Sequence, residues 1–296
     1  MFCFVILHYM VLEETVAFVE NILRHLDGQK EIIIVDNNSS NGSGEQLRKR
    51  YQHVGNVTVL INSENLGFAK GNNIGYLYAK KNFNPKFIAV ANNDIELPQK
   101  DFINRVNKIY EEEKFAVLGP EIFSTYEKVY QSPKALSSLT YEQIKYEREN
   151  YKKKVKSRFL VPMKATLKKY ELVKRLKQLK KKSSSKIDPK RKYLNPIIHG
   201  SFVIFSDIFI KQRDVAFFEG TYMYYETEIL DYQCQRDGLK VIYDPSVKVL
   251  HHHSASTSST FGNELKKVRF MNKCIYDSLT VFMAEMEKNQ FDNDNF

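Results

Sequence analysis

Phe87-Ile88-Ala89-Val90-Ala91-Asn92-Asn93-Asp94 is a run of five apolar residues that stops on two amides and a carboxylate. A short apolar run bounded by turn formers reads as a buried strand. Its polar end offers oxygen donors of the kind that hold Mg²⁺ or Mn²⁺ against a diphosphate. One protein carboxylate suffices there, because the ligand brings oxygens of its own. Taken alone the run also reads as a simple turn, since Asn and Asp are turn residues.

The surrounding sequence changes the weight of that stretch. Residues 2–7 form an apolar, strand-like run that leads into His8-Tyr9. It is short and lacks a basic start, so it reads as a buried strand rather than a signal peptide. Residues 11–26 follow with Val16, Val19, Ile22, Leu23 and Leu26 at helical spacing. Residues 32–35 are a β-branched strand ending at Asp36. Residues 42–53 read as a weaker helix, 57–61 as a strand, 68–81 as a helix, 102–113 as a helix and 116–118 as a strand. Strands alternating with helices predict a largely parallel sheet with helices on both faces. In such sheets ligands sit beyond the carboxyl ends of the strands. The polar groups at those ends are His8-Tyr9, Asp36-Asn37-Asn38-Ser39, Asn62 and Asn92-Asn93-Asp94. Four strands thus deliver polar groups to one rim, which predicts a nucleotide-type site.

The helix at 68–81 is approached through Asn65-Leu66-Gly67-Phe68-Ala69-Lys70-Gly71-Asn72-Asn73-Ile74-Gly75. Glycine in a helix costs up to about 1 kcal/mol relative to Ala. Three glycines every fourth residue therefore imply a backbone held close to a ligand or a neighbouring element. Lys70, beside a helix N-terminus, is placed to meet phosphate. The spacing is not that of the dinucleotide fingerprint.

The chain carries a net charge of +10. Residues 145–192 hold about 20 Lys and Arg against about 4 acidic residues, so the rest of the chain is mildly acidic. Within this segment Leu160, Met163, Leu167, Tyr170, Val173 and Leu176 recur at helical spacing, and Lys180-Lys181-Lys182-Ser183-Ser184-Ser185 has the composition of a linker. The segment is readable as a solvated insertion or as a contact with an anionic membrane surface, the reading preferred here. No aromatic-interleaved basic motif points to nucleic acid. Cys3, Cys234 and Cys274 are widely separated, which predicts a reducing compartment and no structural zinc. No stretch approaches the ~20 apolar residues of a membrane span.

Later in the chain, residues 200–205 read as a strand and 226–236 as a helix ended by Asp237-Gly238. Residues 240–243 and 247–250 read as two short strands ahead of His251-His252-His253. Residues 263–286 read as a closing amphipathic helix.

Three segments together resemble the family 2 glycosyltransferases of the GT-A fold, especially a bacterial rhamnosyltransferase-like and capsular polysaccharide branch. They are Ile33-Ile34-Val35-Asp36-Asn37-Asn38-Ser39-Ser40, the Asn65–Gly75 stretch, and Asn92-Asn93-Asp94 as a variant of the DxD metal motif. Their order and spacing also agree. The likeness covers about residues 1–120 and 197–255. It implies an α/β GT-A domain over residues 1–262, with a mixed, mostly parallel sheet and a basic helical insertion at about 140–195. A C-terminal helix and tail at 263–296 complete the expected organisation.

The resemblance also implies an activity and a site. The activity is inverting transfer from a nucleoside-diphosphate sugar, UDP or dTDP foremost, to a hydroxyl of a glycan acceptor. The acceptor is expected to be lipid-linked and the role to be bacterial surface polysaccharide assembly. The protein is expected in the cytoplasm, peripheral on the inner face of the plasma membrane. Tyr9 and Asp36 are expected at the nucleobase, and Asn65, Lys70 and Asn72 along the ribose and diphosphate. Asn38, Asn92 and Asn93 join the donor-binding set. Asp94 and His251 are expected at a divalent cation, Mg²⁺ or Mn²⁺. His252 and His253 are read as rim residues, because successive strand residues point to opposite faces.

Tyr225-Glu226-Thr227-Glu228-Ile229-Leu230 is similar to the family segment that supplies the catalytic base. Thr227 stands where many members have Asp, so the base is Glu226 or Glu228, with Glu226 preferred. Two other functions compete. A nucleotidyltransferase would want a Gly-rich, basic loop after the first strand, and residues 8–14 lack both. A non-catalytic partner subunit that retains the nucleotide draws its support from Thr227.

Overall fold

A computed structural model describes residues 1–156, 187–252 and 264–293. The apolar positions Leu160 to Leu176, the Lys180–Ser185 run and His253 lie outside the described residues.

The chain divides into two compact units. The first comprises Met1–Ser138, Pro189–Tyr222 and Glu226–Ser256. Its N-terminal half is an alternation of β1 (Phe2–His8), α1 (Leu12–His25), β2 (Lys30–Asp36), α2 (Ser43–Tyr51), β3 (Val57–Ile61), α3 (Gly67–Phe83) and β4 (Phe87–Asn92). There follow β5 (Ile95–Glu96), α4 (Phe102–Glu113), β6 (Val117–Ser124) and β7 (Val129–Tyr130). After the insertion come β8 (Tyr193–Leu194), β9 (Phe202–Ser206), α6 (Asp207–Gln212), α7 (Glu226–Arg236) and β10 (Val241–His251).

The described strands form one sheet in the order β3-β2-β1-β4-β9-β6-β10-β5, with β7 on β6 and β8 on β10. Strands β3, β2, β1 and β4 are mutually parallel, as are β6 and β10. Between them β9 runs antiparallel to both β4 and β6. The expected mixed sheet is therefore present.

Both faces of the central strands are covered, and their buried positions are apolar on either side. Phe2, Phe4 and Ile6 of β1 join Phe18 and Ile22 of α1 and Phe102 and Val106 of α4 on one face. Cys3 and Val5 join Ala69 and Tyr76 of α3, Phe209 of α6 and Leu230 of α7 on the other. This two-period division is what a strand buried on both faces requires. Cys3, Cys234 and Cys274 are buried, and burial pushes the thiols of Cys3 and Cys234 up to about 12. They are packing residues.

The glycine spacing of α3 finds its explanation here. A Cβ on Gly75 would lie 2.4 Å from Val5 Cγ1 and 2.8 Å from Val35 Cγ2. The helix thus lies directly on β1 and β2, and Gly71 and Gly75 serve the sheet. Gly67 has φ of 77°, and a Cβ there would meet the Tyr222 carbonyl oxygen at 2.3 Å.

One local expectation is corrected. The runs at 240–243 and 247–250 belong to one strand, β10, whose register against β6 shifts between Asp244 and Lys248. Pro245 has no N–H for the ladder, so the chain bulges rather than stops. The Ser246 N–H turns back onto Asp244 Oδ1 at 2.9 Å. The two-residue strands β5, β7 and β8 were too short for any periodicity to announce.

The second unit contains Leu139–Asp188, Met223–Tyr225 and Thr257–Phe296. Its described elements are α5 (Tyr141–Lys156), at the start of the basic insertion, and α8 (Glu264–Asn293). Arg148 of α5 donates to Thr280 Oγ1 of α8 at 3.0 Å and lies 5.4 Å over the Tyr276 ring. Tyr141 hydrogen-bonds Glu287 and Tyr225 hydrogen-bonds Glu147. No helix among the described residues is long and apolar enough to cross a membrane.

Candidate active site

Strand register assembles the rim. His8 of β1 pairs with Asp36 of β2, Leu7 pairs with Asn92 of β4, and Asp36 pairs with Ile61 of β3. The carboxyl ends of four parallel strands therefore stop level with one another.

On the base side, Asp36 is buried and accepts the Ser39 hydroxyl at 2.5 Å and the Ser39 N–H at 3.3 Å. Its carboxylate packs on the first turn of α2, where a Cβ on Gly44 would lie 2.2 Å from Oδ2. Tyr9, one residue beyond the His8–Asp36 pair, is half-buried. Asn38 takes a left-handed backbone, φ 61°, and is exposed.

The neighbouring Asn37 was not singled out from sequence, yet it is the hub. It is buried, and its Nδ2 donates to Asn65 Oδ1 at 2.9 Å and to Gly67 O at 3.0 Å. Its Oδ1 accepts from Asn62 Nδ2 at 3.1 Å and from the Leu66 N–H at 3.0 Å. One amide thus ties the ends of β2 and β3 to the start of α3. The run of amides Asn37, Asn62 and Asn65 was the available signal, because a buried amide needs several partners.

Around α3, Asn65 Oδ1 also accepts the Gly67 N–H and the Tyr222 hydroxyl, each at 3.0 Å. Lys70 is exposed on the first turn of the helix. Asn72 is wholly buried; its Nδ2 donates to Phe68 O at 2.9 Å, while Oδ1 meets no hydrogen-bond donor among the described residues. Asn73 Nδ2 donates to Phe217 O at 2.7 Å and its Oδ1 accepts the Phe217 N–H at 3.0 Å. This clamp joins α3 to the loop ahead of α7.

At the end of β4, Asn92 N–H donates to Ser201 O at 2.9 Å, and Asn93 Nδ2 reaches Thr15 Oγ1 at 3.0 Å. Asp94 and His251 are both buried, with Nε2 of the imidazole 3.2 Å from Oδ1 of the carboxylate. Asp94 O accepts the His252 N–H at 2.9 Å, which fixes β10 against this turn. His251 Nδ1 faces Gln131 Oε1 at 2.7 Å. With the proton on Nδ1, held by that amide oxygen, Nε2 and the Asp94 carboxylate would be free to share a cation, as a metal-ligating histidine does with a supporting acceptor behind it. The donor set therefore fits a divalent cation. No group of three or more His, Cys, Asp or Glu arranged to hold a metal occurs among the described residues. Two protein ligands suit a cation completed by phosphate oxygens. His252 is exposed at the rim, bonded to Glu96 and Thr125 at 2.8 and 3.0 Å.

The two candidate bases lie in different surroundings. Glu228 is ion-paired with Lys134, whose Nζ also lies 3.3 Å from Thr227 Oγ1. Thr227 in turn donates to Glu228 Oε2 at 3.1 Å. Lys134 follows a cis Ser132–Pro133 bond and is held by its N–H on Ile197 O at 2.7 Å. Nothing in the local sequence signalled its role, because it lies 94 residues from its partner. Glu226 is buried, and burial raises its carboxyl to about 7, with the nearby Glu228 charge adding to the rise. Its Oε1 accepts no hydrogen bond among the described residues.

A parallel half, an antiparallel strand between it and the rest of the sheet, and a carboxylate–imidazole pair at the strand ends are the layout of a GT-A fold. The chain belongs to glycosyl transferase family 2, whose description matches residues 3–176. It is similar to the low-salt glycan biosynthesis hexosyltransferase Agl10 of Haloferax volcanii, 26% identical over 106 residues, which is 36% of this chain and 33% of that protein. Among solved structures it is similar to S. aureus TarS in complex with UDP-GlcNAc, with TM-score 0.53 and 13% identity over 90% of this chain and 60% of that one. It is also similar to GalNAc-T7 with UDP, GalNAc and Mn²⁺, with TM-score 0.53 and 12% identity over 85% of this chain and 43% of that one. At these identities the structural likeness shows the fold. The chain spans about a third of the length of its curated relative.

Proposed function

We propose that this chain is an inverting glycosyltransferase that moves a sugar from a nucleoside-diphosphate donor to a hydroxyl of a glycan acceptor. The observation that carries the reading is the Asp94–His251 pair, at 3.2 Å, on the same rim as Asp36 and the start of α3. A nucleotide lying along that rim would have its base at Tyr9 and Asp36. Its ribose and diphosphate would pass Asn65 and Lys70. A bound cation at Asp94 and His251 would neutralise charge on the departing diphosphate.

The remaining chemistry belongs to the chain. Lys70 and the N-terminal turn of α3 offer positive potential to the diphosphate. Glu226 takes the acceptor hydroxyl proton as that oxygen attacks the anomeric carbon. A carboxyl at about 7 is half ionised near neutral pH and well matched to that task. Glu228 is held as the carboxylate partner of Lys134 and shapes the field around Glu226. Thr227 favours a non-catalytic, nucleotide-retaining subunit as the rival; the buried, shifted Glu226 argues for catalysis.

UDP is the favoured nucleotide and Mn²⁺ a suitable cation, in keeping with the ligands of TarS and GalNAc-T7. A lipid-linked acceptor in bacterial surface polysaccharide assembly would suit the Lys-rich α5, with Lys152, Lys153, Lys154 and Lys156 near its end. Thermal-shift measurements with UDP, GDP and dTDP sugars, with and without Mn²⁺, test the donor side. Stabilisation by a UDP or dTDP sugar that needs the cation is expected; no shift with any of them would refute the reading.

A further inference from the structure

The sequence places a histidine at the end of β1, and nothing in the reaction uses it. His8 is completely buried, and so are the two hydroxyls that hold it. Its Nδ1 lies 2.6 Å from Thr15 Oγ1, and its Nε2 lies 2.8 Å from Ser43 Oγ. Burial lowers its imidazole to about 4 against the opposing pull of Asp36, so the ring is neutral at physiological pH.

A neutral imidazole has one donor and one acceptor, and the neighbours decide which is which. Ser43 Oγ donates to Asn41 Oδ1 at 2.7 Å, so its single proton is committed and it must accept from Nε2–H. Thr15 Oγ1 accepts from Asn93 Nδ2 at 3.0 Å and has one proton of its own. Val11 O at 3.2 Å is the longer alternative for that proton, and His8 Nδ1 at 2.6 Å the shorter. The contacts of the ring and both hydroxyls, the longer Thr15–Val11 one aside, are satisfied when the bonds run in one direction. Asn93 donates to Thr15, Thr15 to His8 Nδ1, His8 Nε2 to Ser43, and Ser43 to Asn41. The Nε2–H also faces Asp36 Oδ1 at 3.9 Å, which favours the same tautomer.

The two ends of this relay are functionally distinct. Asn41 Nδ2 donates to Met10 O at 2.7 Å, the Met10 N–H donates to Ser39 Oγ at 2.8 Å, and Ser39 donates to Asp36. That end is the base-side turn. At the other end Asn93 immediately precedes Asp94. Fully satisfied buried networks fix a single orientation, because any rotation leaves a buried polar atom unpaired.

We propose that His8 is a positioning residue: carrying its proton on Nε2, it locks the Asp36–Asn41 turn to the Asn93–Asp94 turn through Ser43 and Thr15. The proposal rests on the donor-side reading given above. Its consequence is that a change at Ser43, on the base side, is felt by the cation at Asp94.

The test uses the full chain and two kinds of readout. In protein labelled with ¹⁵N-histidine, the resonances lost in His8→Gln identify His8. They are expected to show a protonated Nε2 and a bare Nδ1, unchanged between pH 5.5 and 8 (bounds set about the ordinary histidine value). A protonated Nδ1, or titration within that window, overturns the proposal without reference to any ligand. Calorimetry then follows Mn²⁺ binding in the presence of saturating UDP. Both Thr15→Val and Ser43→Ala are expected to weaken Mn²⁺ by up to about tenfold, the low end of what losing a group directly on a metal ligand costs, because they act through the relay. Thr15→Ser is expected to restore it. Unchanged Mn²⁺ affinity in Ser43→Ala overturns the coupling. Failure of the unaltered chain to bind UDP at all would instead overturn the donor-side reading, and with it the role assigned to the relay.

Discussion

His251 Nε2 and Asp94 Oδ1 face each other across 3.2 Å, one at the end of β10 and the other just beyond β4. These strands are not neighbours in the sheet, so the pair exists only because the Asp94–Glu96 turn folds across to meet the last residues of β10. The imidazole is oriented by Gln131, itself anchored by its N–H on Ile122 O at 2.8 Å.

Removing that orientation should weaken cation use before it weakens anything else. Gln131→Ala is expected to raise the Mn²⁺ concentration for half-maximal UDP binding by about tenfold. Asp94→Ala is expected to abolish Mn²⁺-dependent UDP binding and transfer. Calorimetry across a Mn²⁺ titration measures both, and a chelator-insensitive Asp94→Ala enzyme would remove the metal assignment.

Glu226→Gln should lower turnover by about 10²–10⁴-fold while leaving UDP affinity within twofold. Because the base must be ionised, activity should rise with pH through about 7 in the unaltered enzyme. Lys134 pulls that value down, so Lys134→Met should move the rising limb to higher pH. If Glu228→Gln alone stops transfer, the base has been assigned to the wrong carboxylate.

His8 should leave a signature in stability. Its folded value is about 4 against an ordinary value of 6.5, so the unfolded chain binds the extra proton between those limits. The contribution is complete above about 6.5 and is lost as pH falls toward 4, amounting to about 3 kcal/mol. Denaturant titrations at pH 7.5 and 4.5, compared between the unaltered chain and His8→Gln, isolate it. Equal pH dependence in the two would exclude a buried neutral His8.

Gly75→Ala should cost about 1–3 kcal/mol through overpacking against Val5 and Val35. Gly55→Ala, whose Cβ would meet nothing within 4 Å, is the control. Thermal unfolding of the two variants decides whether the helix rests on the sheet as closely as described.

If α5 meets an anionic surface, exchanging Lys152, Lys153, Lys154 and Lys156 for Gln should release the protein from phosphatidylserine vesicles at ~0.1 M salt. Co-sedimentation with such vesicles measures this. Retention by neutral and anionic vesicles alike would remove the membrane reading.

The alternation of elements up to residue 118 was readable because each strand is apolar on both faces and each helix is set off by polar or glycine-bearing turns. β10 was misread as two strands because Pro245 usually ends a strand, and only pairing with β6 shows that the chain resumes. Asp36 and Asp94 are legible as strand-end polar groups, while Asn65 and His251 enter through the family resemblance. Asn37 escaped because a hub is recognised by its partners, which lie 25 to 30 residues away. Lys134 escaped for the same reason at greater distance. Asn72, which the sequence set beside the donor, is enclosed within α3, since a side chain's face on a helix depends on which neighbours cover it.

The rim hangs from strand pairing, with His8 level with Asp36 and Leu7 level with Asn92. The level ends of β1, β2, β3 and β4 are therefore inherited as a block, while Ser201, Tyr222 and His251, which complete the rim, come from segments after β6. Such a division sets the terms on which the protein can be grafted. Under the proposed function, a segment exchanged between β6 and β9 would keep the ledge working only if it carried Gln131, Lys134 and Ser201 with it.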